Sequence, residues 1–567
     1  MITKEQRGIA MLRAAQISVA ALMIAALAAP IAAQTDPMTP DKVDVYDPAR
    51  PQADYVRKEV MIPMRDGVKL FTVIVMRKGT SHGPILLTRT PYDAGKATSR
   101  NRSQRIEEIL PVMDADFVND GYIRVYQDVR GLHGSEGDYV MTRPLRGPLN
   151  KSDVDNSTDA YDTIDWLVKN VPETNGKVAI TGSSYPGFTS LMALIDPHPA
   201  LKAAVPQSPM VDGWMGDDWF HNGAFRNFGF GYSLSQTAKK GGGAIPMGNG
   251  DEYTTMLNAG SAGDFARAYG LDAFPSVRKL LEHPAYDAYW QEQAVDKLLA
   301  KRTLTVPTML VVGQWDQEDS YGAPAVYKAL EPQDKKNDMV SLVIGPWRHS
   351  GVNYEGRSLG DLQFEGDTGR QFRVGTMKPF LDHYLKDNPP AGYSMPGSLT
   401  YATGIDKWEI RAKWPGGTPT PLYLGASYSL SWAKPAAAGS DSYVSDPAKP
   451  VPYLPRPIHQ DQNEAWRTWL VKDQRFVDGR PDVLTYVTPV LDKDVHIAGQ
   501  PMVDLFAATS GTDSDWVVKL IDVYPEENTA NPVMAGYELP IGIDIFRGRY
   551  AHGFDKPQAL TPGKAEG

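Results

Sequence analysis

Cysteine is absent from all 567 residues. Disulfides, thiolate nucleophiles and cysteine-based zinc sites are therefore excluded, although this absence does not identify a compartment. A strong charge of one sign is also missing. The chain has 58 Lys and Arg against 68 Asp and Glu, a net charge of −10, which is modest for this size and argues against a nucleic-acid partner. Beyond the first 33 residues no run is long and apolar enough to cross a bilayer. No internal repeat or low-complexity tract stands out. What remains is an ordinary globular composition, 42% hydrophobic and 22% charged. The 12 Trp and 27 Tyr suit binding pockets or packed β-structure. A chain of this length is expected to form about two to four domains.

The N-terminus does point to a compartment. Lys4, Arg7 and Arg13 lead into an apolar run over 17–33 that Pro30 interrupts late, followed by polar Gln34-Thr35-Asp36. This is the pattern of a secretory signal peptide, 1–33, with cleavage expected near Ala33 and Ala28 as the alternative. A membrane anchor is the rival, but the run is short for a span. The mature protein is expected to be exported and not membrane-bound, and periplasmic if the source is a Gram-negative bacterium. Residues 34–55 are polar and proline-containing and read as an extended arm.

Residues 56–210 begin with a hairpin, Val60–Met64 and Val68–Val75 around Arg65-Asp66-Gly67. Strands then alternate with helices: 84–88, 122–127, a helix over 160–169, a strand over 178–181 and a helix over 188–195. That alternation predicts a mostly parallel α/β sheet. Residues 211–300, rich in Trp, Phe and Gly and then helix-like, read as a helical cap inserted over the sheet. The α/β pattern returns over 301–395, with strands at 308–312 and 340–344 and a closing helix at 370–385. From 396 to 567 short strand candidates (422–424, 483–487, 516–523) lie between Pro, Gly and Asp turns, which predicts an all-β sandwich or jelly roll.

The stretch Gly182-Ser183-Ser184-Tyr185-Pro186-Gly187 joins a buried strand to an apolar helix. A sharp turn centred on a serine between strand and helix is the setting of a nucleophile elbow. Such a string is common by chance, so its partners matter more than the string. In an α/β-hydrolase the acid and then the histidine follow in chain order, each after a strand. Asp316 is the first carboxylate after strand 308–312, and His349 is the only histidine between 284 and 382 and follows strand 340–344. Alone, each would read as a loop carboxylate and a structural histidine. Together they assign Ser184 as nucleophile, His349 as general base and Asp316 as its orienting acid. Oxyanion donors are then expected from the Tyr185 backbone N–H and, after an early strand, from the Tyr92 phenol. No cofactor and no metal is called for.

Arg89-Thr90-Pro91-Tyr92, Asp128-x-Arg130-Gly131 with Ser135-x-Gly137, and Gly182-x-Ser184-Tyr185-x-Gly187 together resemble the family of X-Pro dipeptidyl-peptidases, cocaine esterase and α-amino acid ester hydrolases. The resemblance covers essentially the whole mature chain. It implies a catalytic α/β-hydrolase domain, a helical cap and a C-terminal jelly roll, with the tyrosine matching Tyr92 in the oxyanion hole. Asp128 and Arg130 read as a structural charge pair beside the site. α-Amino acid ester hydrolases carry three carboxylates that bind the substrate's α-ammonium group, and the motifs match at Asp218, Glu318 and Asp319, with Asp217 as a lower-ranked neighbour. Clustered carboxylates repel one another unless a cation lies among them. A calcium site or a solvated acidic loop are the alternatives. Trp214, Trp219 and Phe220 suit either an aromatic acyl pocket or packing within the cap.

The expected activity is hydrolysis of α-amino acid esters or amides through a Ser184 acyl-enzyme, with acyl transfer to amines such as β-lactam nuclei as the resemblance implies. A dipeptidyl-peptidase or general carboxylesterase is the rival on the same machinery. A non-catalytic carbohydrate-binding or scaffold protein is the rival of another class. The resemblance also implies a homo-oligomer, a tetramer. Family members continue past the point matching 560–563, so the last jelly-roll strands are expected to be missing.

Overall fold

The computed structural model describes residues 52–216, 218–237, 245, 250–414, 418–459 and 463–567. The signal peptide, its cleavage site, most of the arm and Asp217 lie outside the described residues. A ten-stranded sheet carries the architecture. Its strands are β1 (Tyr55–Pro63), β2 (Lys69–Arg77), β3 (Gly83–Thr90), β4 (Ile123–Asp128), β5 (Thr174–Ser184), β6 (Leu201–Pro209), β7 (Thr308–Trp315), β8 (Val340–Arg348), β9 (Ser398–Ala402) and β10 (Lys407–Arg411). The spatial order is β1-β2-β4-β3-β5-β6-β7-β8-β9-β10. Strands β3 to β9 run parallel, and β1, β2 and β10 are the antiparallel additions.

Strand periodicity explains how both faces are covered. Ile85, Leu87, Val178 and Ile180 point into one core with Ile164, Leu167 and Phe188. Their neighbours Leu86 and Ala179 point into the other with Val205, Val311, Phe380 and Leu381. Helix α1 (Asn156–Asn170) begins at Asp155, whose carboxylate accepts the Thr158 backbone N–H while the Thr158 hydroxyl accepts the Asp155 N–H, a reciprocal capping box. The predicted closing helix is continuous from Thr368 to Leu385, widened through Arg373–Met377.

Residues 211–300 include helices Phe228–Thr237, Glu252–Ala259, Ala262–Ala268, Pro275–Glu282 and Val295–Ala300. Beyond residue 396, strands β9 and β10 pair onto the edge of the hydrolase sheet, and Leu399 packs into the same core as Val343 and Phe380. The structure departs from the reading there in one place. Residues 483–487 form no regular strand and make one bridge, Val487 to Ser429. Pro481 and Pro489 flank that stretch and remove a ladder donor at either end. The main β element beyond 411 is the hairpin β11 (Asp515–Val523) with β12 (Glu538–Arg547). It packs against the hydrolase part through Trp315, Leu359, Val471, Tyr537 and Leu539. Trp315 also donates its indole N–H to the Pro540 carbonyl at 2.9 Å, directly beside Asp316.

Candidate active site

Strand β5 ends on Ser184, and helix α2 (Tyr185–Met192) begins on the next residue. Ser184 is therefore the junction itself, at φ 67° and ψ −127°. A non-glycine residue held there costs on the order of 1–3 kcal/mol, a strain that concentrates at functional sites. Close approach explains the flanking glycines. A Cβ on Gly182 would lie 2.3 Å from the Pro186 Cβ, and one on Gly187 2.6 Å from the Gln207 carbonyl oxygen. The helix starts three residues before the predicted Phe188, because Pro186 in a first turn needs no N–H partner.

His349 follows β8 and Asp316 follows β7. The His349 Nδ1 lies 2.9 Å from Asp316 Oδ1. The same oxygen accepts the backbone N–H groups of Glu318 and Asp319, both at 2.9 Å, and the His349 backbone N–H donates to Gln317 Oε1 at 2.9 Å. Burial acts to raise the Asp316 carboxyl, but the charge of His349 and the hydrogen bond between the two outweigh it and hold Asp316 below the usual range. Burial acts to lower His349. The charges of Asp316 and Glu318 win, and the imidazole is pushed up to about 9. The Ser183 and Ser350 hydroxyls, one residue from Ser184 and one from His349, lie 2.7 Å apart and tie the two turns together. Ser184 itself makes no hydrogen bond to the imidazole among the described residues. Nε2 instead faces Glu318 Oε2 at 3.5 Å.

Tyr92 lies on the loop after β3. Its backbone N–H donates to Thr90 Oγ1 at 3.0 Å, and its hydroxyl lies beside the Ser184 side chain and 3.1 Å from the Tyr232 hydroxyl. Tyr92 is 44% exposed as a residue, but desolvation around its hydroxyl, with the charges of Asp218 and Glu318, raises the phenol above its ordinary range, so it stays a donor. Asp128 and Arg130 do not pair with each other. The Asp128 carboxylate accepts the Ala94 N–H at 2.6 Å and the Gly134 N–H at 3.0 Å, which braces the Tyr92 loop. Arg130 reaches Asp159 on α1 at 2.6 Å and Asp66 in the β1–β2 turn at 2.7 Å. The Asp128 carboxylate is taken up by two backbone N–H groups and the Arg130 guanidinium by two other carboxylates, so nearness in sequence does not bring the two charges together.

The three cluster carboxylates converge near the same imidazole. Asp218 is buried, and its Oδ1 has no hydrogen-bond partner among the described residues. Burial first, then the charge of Glu318, pushes it up to about 7. Asp319 is fully buried with Oδ2 3.9 Å from His349 Nδ1. Among the described residues no three His, Cys, Asp or Glu side chains are arranged as metal ligands. Of the cap aromatics, Trp214 is fully buried among Phe220, Tyr286, Tyr550 and Phe554. Trp219 alone of the three borders the site, with its ring 5.7 Å from Tyr232.

Sequence reasoning missed three residues. Arg226, from the cap, donates to the Gln317 carbonyl at 2.6 Å and the Glu318 carbonyl at 3.1 Å, which pins the acid loop. Tyr232 sets the Tyr92 hydroxyl, and Trp466 donates to Glu318 Oε1 at 2.9 Å. None lies in a motif; each acts from a segment far away in the chain.

Comparison with known proteins bears on this arrangement. The profile described as X-Pro dipeptidyl-peptidase (S15 family) matches residues 66–351, and that of the X-Pro dipeptidyl-peptidase C-terminal non-catalytic domain matches 394–565. The chain is similar to cocaine esterase of Rhodococcus sp. (strain MB1 Bresler), 28% identical over 548 residues, 90% of this chain and 86% of that protein. Among solved structures it is similar to an α-amino acid ester hydrolase, 58% identical with a TM-score of 0.90 over 94% of this chain and 88% of that one. It is also similar to an aminopeptidase from a marine sediment archaeon, Thaumarchaeota archaeon, 49% identical with a TM-score of 0.89 over 93% and 87% of the two chains.

Proposed function

The chain belongs to the X-Pro dipeptidyl-peptidase (S15) family and is a carboxylic ester hydrolase, and within that family we propose that it cleaves esters of α-amino acids through an acyl-enzyme on Ser184. The observation that carries the substrate class is the set Asp218, Glu318 and Asp319 gathered around His349. Buried carboxylates this close need a cation among them. A substrate ammonium one carbon from the acyl carbonyl supplies it while setting that carbonyl over Ser184.

In this reading Ser184 Oγ attacks the carbonyl carbon and its proton passes to His349 Nε2. Asp316 keeps the proton on Nδ1 and stabilises the imidazolium. The Tyr92 hydroxyl and the Tyr185 backbone N–H donate to the tetrahedral oxyanion. Collapse breaks the bond to the alkoxide, which takes the proton from Nε2 and leaves as alcohol. Water then attacks the acyl-enzyme with His349 again as base. An amine in place of water takes the acyl group, and a β-lactam nucleus is the acceptor that the family resemblance implies.

The test compares an α-amino acid methyl ester with its N-acetylated twin. Truncating one side of a buried charge pair costs about 2–5 kcal/mol, so kcat/KM is expected to be about 10²-fold higher for the free amine. Equal values for the pair would rule out the ammonium role. The likeness to an aminopeptidase favours a second reading, cleavage of amides beside a free amine. The same site geometry serves both, and comparing the methyl ester with the anilide of one amino acid separates them.

A further inference from the structure

We infer that Trp466, on helix Asn463–Thr468 in the segment matched by the C-terminal non-catalytic domain, is a positioning residue for amine recognition and acts through Glu318. The inference rests on the ammonium reading above. The Trp466 indole N–H donates to Glu318 Oε1 at 2.9 Å. Its ring is stacked on Phe228 with centroids 4.4 Å apart and planes at 15°. Phe228 is the first residue of the cap helix Phe228–Thr237, and the Arg226 guanidinium lies 5.9 Å from its ring. The segment leading to Trp466 is itself anchored on the cap. Arg456 pairs with Asp251 at 2.6 Å, the Ile458 N–H donates to Asp251 Oδ1 at 2.9 Å, and the Tyr253 hydroxyl donates to the Pro450 carbonyl at 2.6 Å.

Glu318 is thus fixed from two directions. Arg226 holds its backbone carbonyl, and Trp466 holds one carboxylate oxygen. The second oxygen, Oε2, is left facing the reaction side, 3.5 Å from His349 Nε2. A glutamate has three rotatable side-chain bonds, so an unheld carboxylate would sample several orientations and meet the ammonium with a larger entropic cost. A charge-assisted hydrogen bond from a stacked, rigid indole removes that freedom. Part of the amine site is therefore contributed by the domain that carries no member of the Ser184–His349–Asp316 set.

The experiment uses the full-length protein with Trp466→Phe, which keeps a ring on Phe228 and deletes only the N–H donor. kcat and KM are measured on the amino acid methyl ester and on its N-acetylated twin, with Tm as a check on folding. The amino-to-acetyl ratio of kcat/KM is expected to fall about ten-fold, mainly through KM of the amino ester, with the acetylated ester changed less than about two-fold. Phe228→Leu, which loosens the stack and keeps the donor, is expected to lower the ratio in the same direction by less. Glu318→Gln in the same assay separates the possible failures. If Glu318→Gln lowers the ratio and Trp466→Phe leaves it at the wild-type value, the role of Trp466 is overturned while the ammonium reading stands. If neither variant lowers it, the ammonium reading fails and this inference fails with it. Equal losses on both esters in Trp466→Phe would mark a merely structural residue and overturn the proposal. In the double variant the two effects are expected to add to less than their sum, because they act on one carboxylate.

Discussion

The Ser184 half of the site and the carboxylate half share one imidazole but are built differently. Ser184, its backbone strain and the N–H of Tyr185 all arise within residues 182–187, where two glycines let a strand and a helix close on each other. The carboxylate half draws on three distant segments: Asp218 and Arg226 in the cap, residues 316–319 after β7, and Trp466 near the C-terminal hairpin. Bond-breaking geometry can be encoded locally because strand, turn and helix are neighbours in the chain. The groups proposed to meet the substrate's amine are gathered from elsewhere in the chain. The difference suggests that the two halves can be damaged separately, and the largest expected effect tests that first.

Ser184→Ala removes the nucleophile and is expected to lower kcat/KM by about 10⁴–10⁶-fold for the amino ester and its acetylated twin alike. The ratio between the two substrates should survive in whatever activity remains. Labelling of the wild type by a fluorophosphonate, lost in the variant, checks the same point directly. A variant that keeps more than about a tenth of the activity would remove Ser184 from its role. On the other half, Asp218→Asn keeps the shape and deletes one buried charge. The amino ester is expected to lose about 10–10²-fold in kcat/KM and the acetylated ester less than about three-fold. Equal losses on both would erase the distinction between the halves. Because Asp218 is buried with an oxygen that has no hydrogen-bond partner among the described residues, the substrate-free variant should also be more stable above pH 7, by roughly 1–3 kcal/mol, read by thermal unfolding. The sign follows from the raised carboxyl: its contribution is intact at low pH and is lost as pH rises through about 7.

What could be read from the sequence follows the same division. The elbow, Asp316 and His349 were visible because each stands at the end of a short apolar strand and the three occur in a fixed chain order. The parallel sheet was visible because strands buried on both faces read as continuous apolar runs, as Pro84–Leu87 in β3 and Met309–Val312 in β7 do. Arg226 was not, since one arginine in an aromatic-rich stretch carries no period or spacing that points to the Gln317 carbonyl 91 residues on. Trp466 was equally silent, because its partner Glu318 is 148 residues away. The Asp128–Arg130 pairing was misread for the converse reason: adjacency suggested a pair, while the true partners of Arg130 lie 29 and 64 residues distant. The strand expected at 483–487 failed because strand propensity says nothing about whether a neighbour exists to pair with, and among the described residues the stretch makes a single bridge, Val487 opposite Ser429 with hydrogen bonds to Tyr428 and Leu430.

The smallest expected effect concerns the one group that both halves touch. His349 is held up to about 9 by Asp316 first and then by Glu318 and Asp218, with Asp319 close by, while burial opposes them. A general base must be neutral, so on an ester that has no amine of its own kcat/KM should rise about ten-fold per pH unit until close to 9. Glu318→Gln deletes a charge 3.5 Å from Nε2 and should move that limb down by about one pH unit. At pH 7 the variant is then expected to be up to about ten-fold faster than wild type on the plain ester, because more of its imidazole is neutral, yet slower on the amino ester, which loses a partner for its ammonium. Opposite signs on two substrates from one substitution cannot come from a general loss of structure. A wild-type limb near the ordinary histidine value, or a limb that Glu318→Gln leaves in place, would show that the carboxylates do not set the base. A bound ammonium offsets the same charges that Glu318→Gln removes. For amino esters, the limb in kcat should accordingly lie below the plain-ester limb in kcat/KM, so that the cation the cluster recognises also readies His349 to take the Ser184 proton.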